Sequence, residues 1–556
     1  MSKRSAEKSN ELLGAEALVN ILENEGVDTV FGYPGGANLP IYDALRESRI
    51  EHVLARHEQG AAHMADGYAR VAGKTGVCLA TSGPGATNLV TGMANAMLDS
   101  VPLVAITGQI SRSLIGTDAF QEVDCINITM PVTKHNELVF SSDKLVKALK
   151  SAFYLANSGR KGPVLLDIPV DVLEESYSHK LDQTAKLPGY NPTVKGNVGQ
   201  IKRAIKALNK AEKPLVLFGG GIALAGAKKE FREFKEATNI PIVRTLMGTG
   251  IVEEEDPLYL GMIGTHGHAL ANLAIQKQAD VVFVIGTRLG NRAVVKSQLF
   301  AQHAKIIHLD IDPAEIGKNI KADIPIVGDI REVLEDINQR IAKKPIRKEK
   351  PWKVGEKRRS KLSTRDGASI MEIIFGELST INQKLHISTD VGRHQMWANH
   401  YCTNPDHLPL ITSGGLGTMG FGLPAAIGAW FADKDTPVIS ISGDGSFMMN
   451  MQEFVVAVEN KVPLIVLVIN DHRLSMIREL QRSAYGGRFT THEFGSPINF
   501  VALAESMGGV GKRITHQKQV VPTLKKALAG GQPTIIDCDL ERVIKTSHLS
   551  VDSVAS

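Results

Sequence analysis

The chain has 556 residues, 43% of them hydrophobic, which is enough for three or four separate cores at roughly 100–200 residues per domain. Its 63 basic and 59 acidic residues nearly cancel, leaving a formal charge of +4, so the balance gives no electrostatic footprint for nucleic acid. Four scattered cysteines without a CxxC pair exclude a disulfide framework and a zinc site; a polar N-terminus and the lack of any apolar run of about 18 residues argue against a signal peptide and a membrane span, and predict a cytoplasmic protein. Short β-branched runs alternate with helical patterns, the signature of α/β units on parallel sheets. In a first segment, Thr29–Tyr33, Gly76–Ala80, Leu103–Thr107 and Val164–Ile168 read as buried strands and Glu51–Ala55 as extended; the turn-rich Lys186–Pro192 closes it. A second segment has strands at Pro214–Phe218, Val281–Ile285 and Ile306–Ile311 and ends in the basic, proline-containing Lys343–Ser360, read as a solvated linker. A third has strands at Val438–Ser442, Leu464–Ile469 and Thr534–Cys538 and helices carrying Pro424–Phe431 and Met451–Glu459. The expected fold class is α/β, with three doubly wound parallel-sheet domains over 11–185, 193–342 and 365–545.

The most specific signal is Gly443-Asp444-Gly445-Ser446, placed between the strand Val438–Ser442 and a helix. The next strand, Leu464–Ile469, ends in Asn470-Asp471, 27 positions after Asp444. Adjacent parallel strands bring such residues to their carboxyl ends, where α/β sheets bind ligands. Asp444 and Asp471 can supply oxygens to an octahedral Mg2+, with a backbone carbonyl near Arg473 as a third protein ligand and a diphosphate supplying the rest. Gly443 and Ser446 flank the turn, Gly445 lets the backbone approach phosphates, and the following helix offers its N-terminal amides. A plain Gly-Asp-Gly turn contains the same tripeptide; the spacing and the strand context carry the ligand reading.

This stretch resembles the motif of thiamine-diphosphate enzymes, a GDG followed by two asparagines. Asp471 departs from the second asparagine but is still a hard oxygen ligand, and a similar aspartate occurs in catabolic, FAD-free acetolactate synthases. His57–Ala61 and Ala65–Arg70 resemble the glutamate helix of the same family. The resemblance implies that Glu58 bonds N1' of the aminopyrimidine and favours the imino form that removes the C2 proton. Gly414–Gly422 resembles the family loop, which implies Met419 as the wedge between the cofactor's rings and Gly417 as a contact; Gly392, His394 and Met476 are further implied contacts. In this family the glutamate of one subunit faces the diphosphate of another, so at least a homodimer is expected, with a homotetramer and a small regulatory subunit as further possibilities.

Phe31–Gly36, Thr81–Gly85, Gly116–Glu122 and His394–Trp397 resemble acetohydroxyacid synthase large subunits, and the resemblance spans about residues 11–545. It implies pyrimidine-binding, central and diphosphate-binding domains, with Gly36, Phe120 and Gln121 beside C2. The family reaction decarboxylates pyruvate and joins the remaining two-carbon unit to a second 2-keto acid, giving 2-acetolactate from two pyruvates. Arg292 matches the arginine that pairs with the acceptor carboxylate. Arg160, Gly220, Gly221, Thr245, Leu246, His266, Gly286, Arg288, Asp310 and Asp329 match FAD-contacting positions, although glycines after strands also serve as plain turns. Departures from the family are Val170 for its lysine, Gly290-Asn291 for its acidic pair, Leu480 for the tryptophan that favours 2-ketobutyrate, and Arg393 for a glutamine. They lean toward an acetolactate-forming enzyme that feeds acetoin rather than isoleucine, with branched-chain amino acid biosynthesis as the family's other route. Of the rivals, a pyruvate oxidase or decarboxylase shares the scaffold, but Gly116–Glu122 speaks for the carboligase. A glyoxylate carboligase lacks the glutamate, and an inactive homologue would have lost Glu58 or the metal ligands.

Overall fold

Runs such as Leu464–Asn470, buried at every position, leave no polar face to solvent and can form only strands covered on both sides. The computed structural model describes residues 12–177, 187–346, 351–354, 368–380, 384–401 and 410–546; Cys402, Lys186 and most of the basic stretch after Ile346 lie outside them. Among the described residues are three six-stranded sheets, all parallel. The first holds β1 (Thr29–Gly32), β2 (Glu51–Leu54), β3 (Gly76–Ala80), β4 (Leu103–Gln109), β5 (His135–Leu138) and β6 (Pro163–Pro169), in the order β2-β1-β3-β4-β6-β5. The second holds β7 (Pro214–Phe218), β8 (Ile242–Arg244), β9 (Tyr259–Met262), β10 (Val281–Ile285), β11 (Lys305–Asp310) and β12 (Ile324–Val327), in the order β9-β8-β7-β10-β11-β12. The third holds β13 (His386–Thr389), β14 (Ile411–Thr412), β15 (Val438–Gly443), β16 (Leu464–Asn470), β17 (Val510–Ile514) and β18 (Thr534–Asp539), in the order β14-β13-β15-β16-β18-β17. The first and third sheets therefore share one topology, which their residues alone did not reveal. The second has the order that recurs in dinucleotide-binding sheets.

Each sheet is doubly wound. Along β3, Cys78 and Ala80 point into one core and Val77 and Leu79 into another; β7 and β16 divide their alternate residues in the same way. One core is shared. Cys78 and Ala80 of the first sheet and Val466 and Val468 of the third belong to the same apolar cluster, with helices α1 (Glu58–Ala72) and α2 (Gly422–Ala432) between them. Helix α2 carries the expected Pro424–Phe431 in full, and the helix α3 (Glu453–Glu459) begins two residues later than expected.

Helices α1 and α2 touch through their backbones. A Cβ on Gly67 would overlap the Ala425 carbonyl, and one on Gly428 would overlap the Met64 carbonyl. Only glycine permits this approach. Gly428→Val is expected to cost at least about 1–3 kcal/mol by overpacking and to lower the thermal unfolding midpoint; an unchanged midpoint would contradict the backbone contact.

Candidate active site

In the first and third sheets, strand order reverses between the first and third strands of each, and ligands bind at the carboxyl ends beside such a reversal. In the third sheet the reversal lies between β13 and β15, and the turns that follow them carry Gly392, His394 and Gly443–Ser446. These residues meet: a Cβ on Gly443 would sit 3.1 Å from the His394 ring, and one on Gly392 would sit 2.7 Å from it. His394 is buried, its Nε2 has no partner among the described residues, and burial pushes its pKa down to about 4, so the ring is neutral.

The Asp444 turn also meets the loop that follows β16. A Cβ on Gly445 would stand 3.0 Å from both the Leu474 side chain and the Phe494 ring. Gly445 thus makes room for protein as well as for any phosphate. The helical turn begins at Asp444 itself and spans only Asp444–Phe447. Asp444 is buried and its Oδ2 has no partner among the described residues, while Oδ1 accepts the Gly445 N–H at 2.9 Å. Burial, and then the negative charge of Asp471, push the Asp444 carboxyl up to about 7. Asp471 is raised too, mainly by burial, while Ser475 Oγ donates to its Oδ2. A buried carboxylate with an unused oxygen beside a half-buried one is a donor set for a hard cation. The Arg473 carbonyl accepts only the Ser475 N–H, at 3.0 Å, which leaves it a second lone pair. The Arg473 side chain turns away, its Nε donating to the Asp471 carbonyl at 2.9 Å and its guanidinium pairing with Glu541.

In the first sheet the reversal lies between β1 and β3. Thr81–Gly85 follows β3, and Gly36 follows β1 in an open spot with no atom within 4 Å of its Cβ direction. The Thr81 hydroxyl accepts the Ala37 N–H at 3.3 Å, and Gly83 abuts the Gln121 backbone. Gln121 has φ +61°, a left-handed conformation that is costly for a glutamine and is found where a site over-determines the backbone. Phe120 beside it is 87% exposed. Glu58 is the first residue of α1, at the end of β2. Its Oε2 accepts the Asn88 Nδ2–H at 3.0 Å, and Gly85 packs near its Oε1. Glu58, Gly36 and Gln121 therefore share one edge, and Glu58 is half-buried.

Three family models match in sequence along the chain: thiamine pyrophosphate enzyme, N-terminal TPP binding domain, over residues 13–128; the central domain of the same enzymes, over 201–337; and the C-terminal TPP binding domain, over 390–538. The chain is 46% identical over 549 residues to an acetolactate synthase of Arthrospira platensis, covering 95% of this chain and 94% of that one. It is 44% identical over 548 residues to a probable acetolactate synthase large subunit of Methanococcus aeolicus, covering 94% and 91%. It is 42% identical over 542 residues to the acetolactate synthase isozyme 2 large subunit of Escherichia coli, covering 95% and 96%. The chain belongs to the acetolactate synthase family. It is accordingly a thiamine-pyrophosphate-dependent carboligase.

The family's wedge loop, Gly414–Gly422, hangs on buried acceptors that sequence reasoning missed. Asp390 at the end of β13 accepts the N–H groups of Val391 (2.9 Å) and, just after Met419 in the loop, of Gly420 (2.9 Å) and Gly422 (3.2 Å). Burial raises its pKa to about 6 against the pull of these N–H groups. Asp99 of the first unit accepts the Gly414 and Gly415 N–H groups at 3.0 and 2.7 Å and pairs with Arg70, which also pairs with Asp66. Ser413 Oγ accepts the N–H groups of Gly417 and Thr418. An aspartate directly after a strand and before Val-Gly was the available signal for Asp390; nothing local marks Asp99. Arg393, the family departure, bonds Glu479 at 2.8 Å and lies 4.8 Å over Trp397. It thereby ties α4 (Ser475–Ala484), which carries Met476 and Leu480, to the rest of the domain.

The central sheet reverses between β7 and β10, and there a cleft of about 520 Å³ is lined by Arg160, Gly220, Gly221, Thr245, Gly286, Arg288, Asp310 and Asp329. Leu246, His266 and Arg292 line an adjoining space of about 160 Å³ that reaches Gly414 and Gly415. Several of these residues have structural duties as well. Gly221 and Gly286 approach so closely that a Cβ on either would press on the other's Cα, at 2.7 and 2.8 Å. Asp329 caps the helix Ile330–Lys343 through the Arg331 N–H at 2.9 Å. Arg160 pairs with Glu315 at 2.8 Å and Asp312 at 3.4 Å. Among the described residues no helix is long and apolar enough to cross a membrane, and Cys78, Cys125 and Cys538 are free, buried thiols.

Proposed function

We propose that the chain decarboxylates pyruvate and joins the two-carbon remainder to a second 2-keto acid, giving 2-acetolactate from two pyruvates. The carrying observation is the buried Asp444 carboxylate, with a partnerless oxygen, at a sheet reversal and beside Asp471. Asp444, Asp471 and the Arg473 carbonyl would hold Mg2+, and Gly443, Gly445, Ser446, Gly392 and His394 would line the diphosphate end. Thiamine diphosphate, when bound, would supply the nucleophilic carbon and the electron sink for decarboxylation. Glu58 would hold a proton at the pyrimidine N1', Met419, Gly417 and Met476 would pack against the cofactor, and Gly36, Phe120 and Gln121 would close the reacting end against water. Arg292 receives the acceptor's carboxylate. FAD as a structural cofactor is supported by the dinucleotide-type strand order and the glycine-lined cleft at its reversal.

A homodimer or homotetramer is part of this reading. Phe120 and Leu480, 87% and 54% exposed in the single chain, are apolar surfaces that a second copy would cover. A small regulatory subunit is a further proposed partner, supported by the "large subunit" names of relatives. Domains over 11–185, 193–342 and 365–545 follow the three sheets, and a cytoplasmic location fits the buried free thiols.

The test is product analysis with pyruvate, thiamine diphosphate and Mg2+, with and without FAD. Thiamine-dependent acetolactate supports the reading; acetaldehyde or acetyl phosphate would move the protein to the decarboxylase or oxidase branch. With 2-ketobutyrate added, Leu480→Trp is expected to shift products toward the mixed one by up to roughly 10-fold, the scale of a modest gain in apolar contact; an unchanged ratio removes Leu480 from acceptor choice.

A further inference from the structure

Glu453 opens helix α3 shortly after the Asp444 turn and is fully buried, yet no step above uses it. Its carboxylate reaches out of the diphosphate-binding unit into the first one. Both oxygens accept the Arg56 N–H, at 3.2 and 3.0 Å. Gly60, in the first turn of α1, makes room for it: a Cβ there would overlap the carboxylate. On the same helix, Glu459 pairs with the Arg56 guanidinium. Helix α1 has only a weak cap of its own, the His57 ring accepting the Gln59 N–H at 3.1 Å. The backbone just ahead of Glu58 is therefore held from another unit, by a group whose burial in charged form is costly. A charge in that place needs a reason beyond filling space, since an apolar side chain fills space at lower cost.

We propose that Glu453 is a positioning residue for Glu58: by gripping the Arg56 N–H and packing against Gly60 it fixes the rotation of the first turn of α1. That sets the direction from which Glu58 meets the pyrimidine, while Asn88 steadies the carboxylate itself. The inference rests on the proposed role of Glu58. It adds that this role depends on a residue of the diphosphate-binding unit of the same chain.

The experiment compares Glu453→Gln, Gly60→Ala and Glu58→Gln with the unaltered protein. Gln keeps the shape of Glu453 but turns an N–H donor toward the Arg56 N–H; Ala at position 60 displaces the carboxylate without touching it chemically. Three quantities are read: the affinity for thiamine diphosphate with Mg2+, the circular-dichroism signature of the bound pyrimidine's imino form, and the hydrogen–deuterium exchange rate at C2 of the saturated cofactor. Both Glu453→Gln and Gly60→Ala are expected to lose most of the imino signal and to slow exchange about 10- to 100-fold, the scale of a misplacement of about 1 Å, with cofactor affinity nearly unchanged. Wild-type exchange and imino signal in either folded variant, or weaker cofactor binding with normal exchange at saturation, would overturn the proposal. If Glu58→Gln itself exchanges normally, the underlying reading of Glu58 fails instead.

Discussion

Glu58→Gln is expected to lower turnover of pyruvate by about 10²- to 10⁴-fold, the range of a lost general acid–base group. An amide at N1' has the size of the carboxylate but cannot hold the negative charge that favours the imino form. Because Glu58 lies on the first sheet's edge and Asp444 on the third's, the diphosphate end of the site is untouched, and cofactor affinity should change little. The Asn88 contact would persist, since the amide oxygen still accepts from Nδ2. Steady-state rates beside a titration of thiamine diphosphate check both halves of this expectation; near-normal turnover would sink the activating role.

Asp444→Ala should do the opposite, removing cofactor binding before chemistry can be measured. Loss of an outer-shell partner alone costs roughly 10–100-fold in metal affinity, and Asp444 is proposed above as a direct ligand. A larger loss in the apparent affinity for Mg2+ and thiamine diphosphate is expected, not restored at millimolar Mg2+. The folded state should survive, and even gain, because the substitution relieves the mutual repulsion with Asp471 that helps raise the Asp444 pKa to about 7. Titration of Mg2+ against tryptophan fluorescence, with a melt of the metal-free protein, checks this; unaltered Mg2+ dependence would place the metal elsewhere.

Much of this was legible in the residues. The central strands β3, β7 and β10 fall on the ranges expected from their apolar runs, and β15 and β16 miss by a single residue, because a strand buried on both faces has an unbroken hydrophobic signature. The edge strands β14 (Ile411–Thr412) and β17 (Val510–Ile514), and β8 (Ile242–Arg244) next to an edge, were not foreseen. They are short, and their residues are ordinary outside the sheet. The Gly443–Ser446 turn and Glu58 stood out because phosphate approach and proton chemistry demand particular residues at particular spacings. Asp390, Asp99 and Glu453 did not, because an aspartate or glutamate that binds backbone N–H groups can be followed by almost anything.

The sequence by itself determined the central strands, the family and the residues expected to meet the cofactor, since these depend on local periodicity and on side-chain chemistry. Only the tertiary structure decided that the first and third sheets share a topology, that the central one has the dinucleotide order, and that Glu453 holds the helix of Glu58 from 397 positions away. The physical reason is that a buried carboxylate takes its partners from wherever the backbone brings unpaired N–H groups, and that meeting is a property of packing, which no local stretch of residues encodes.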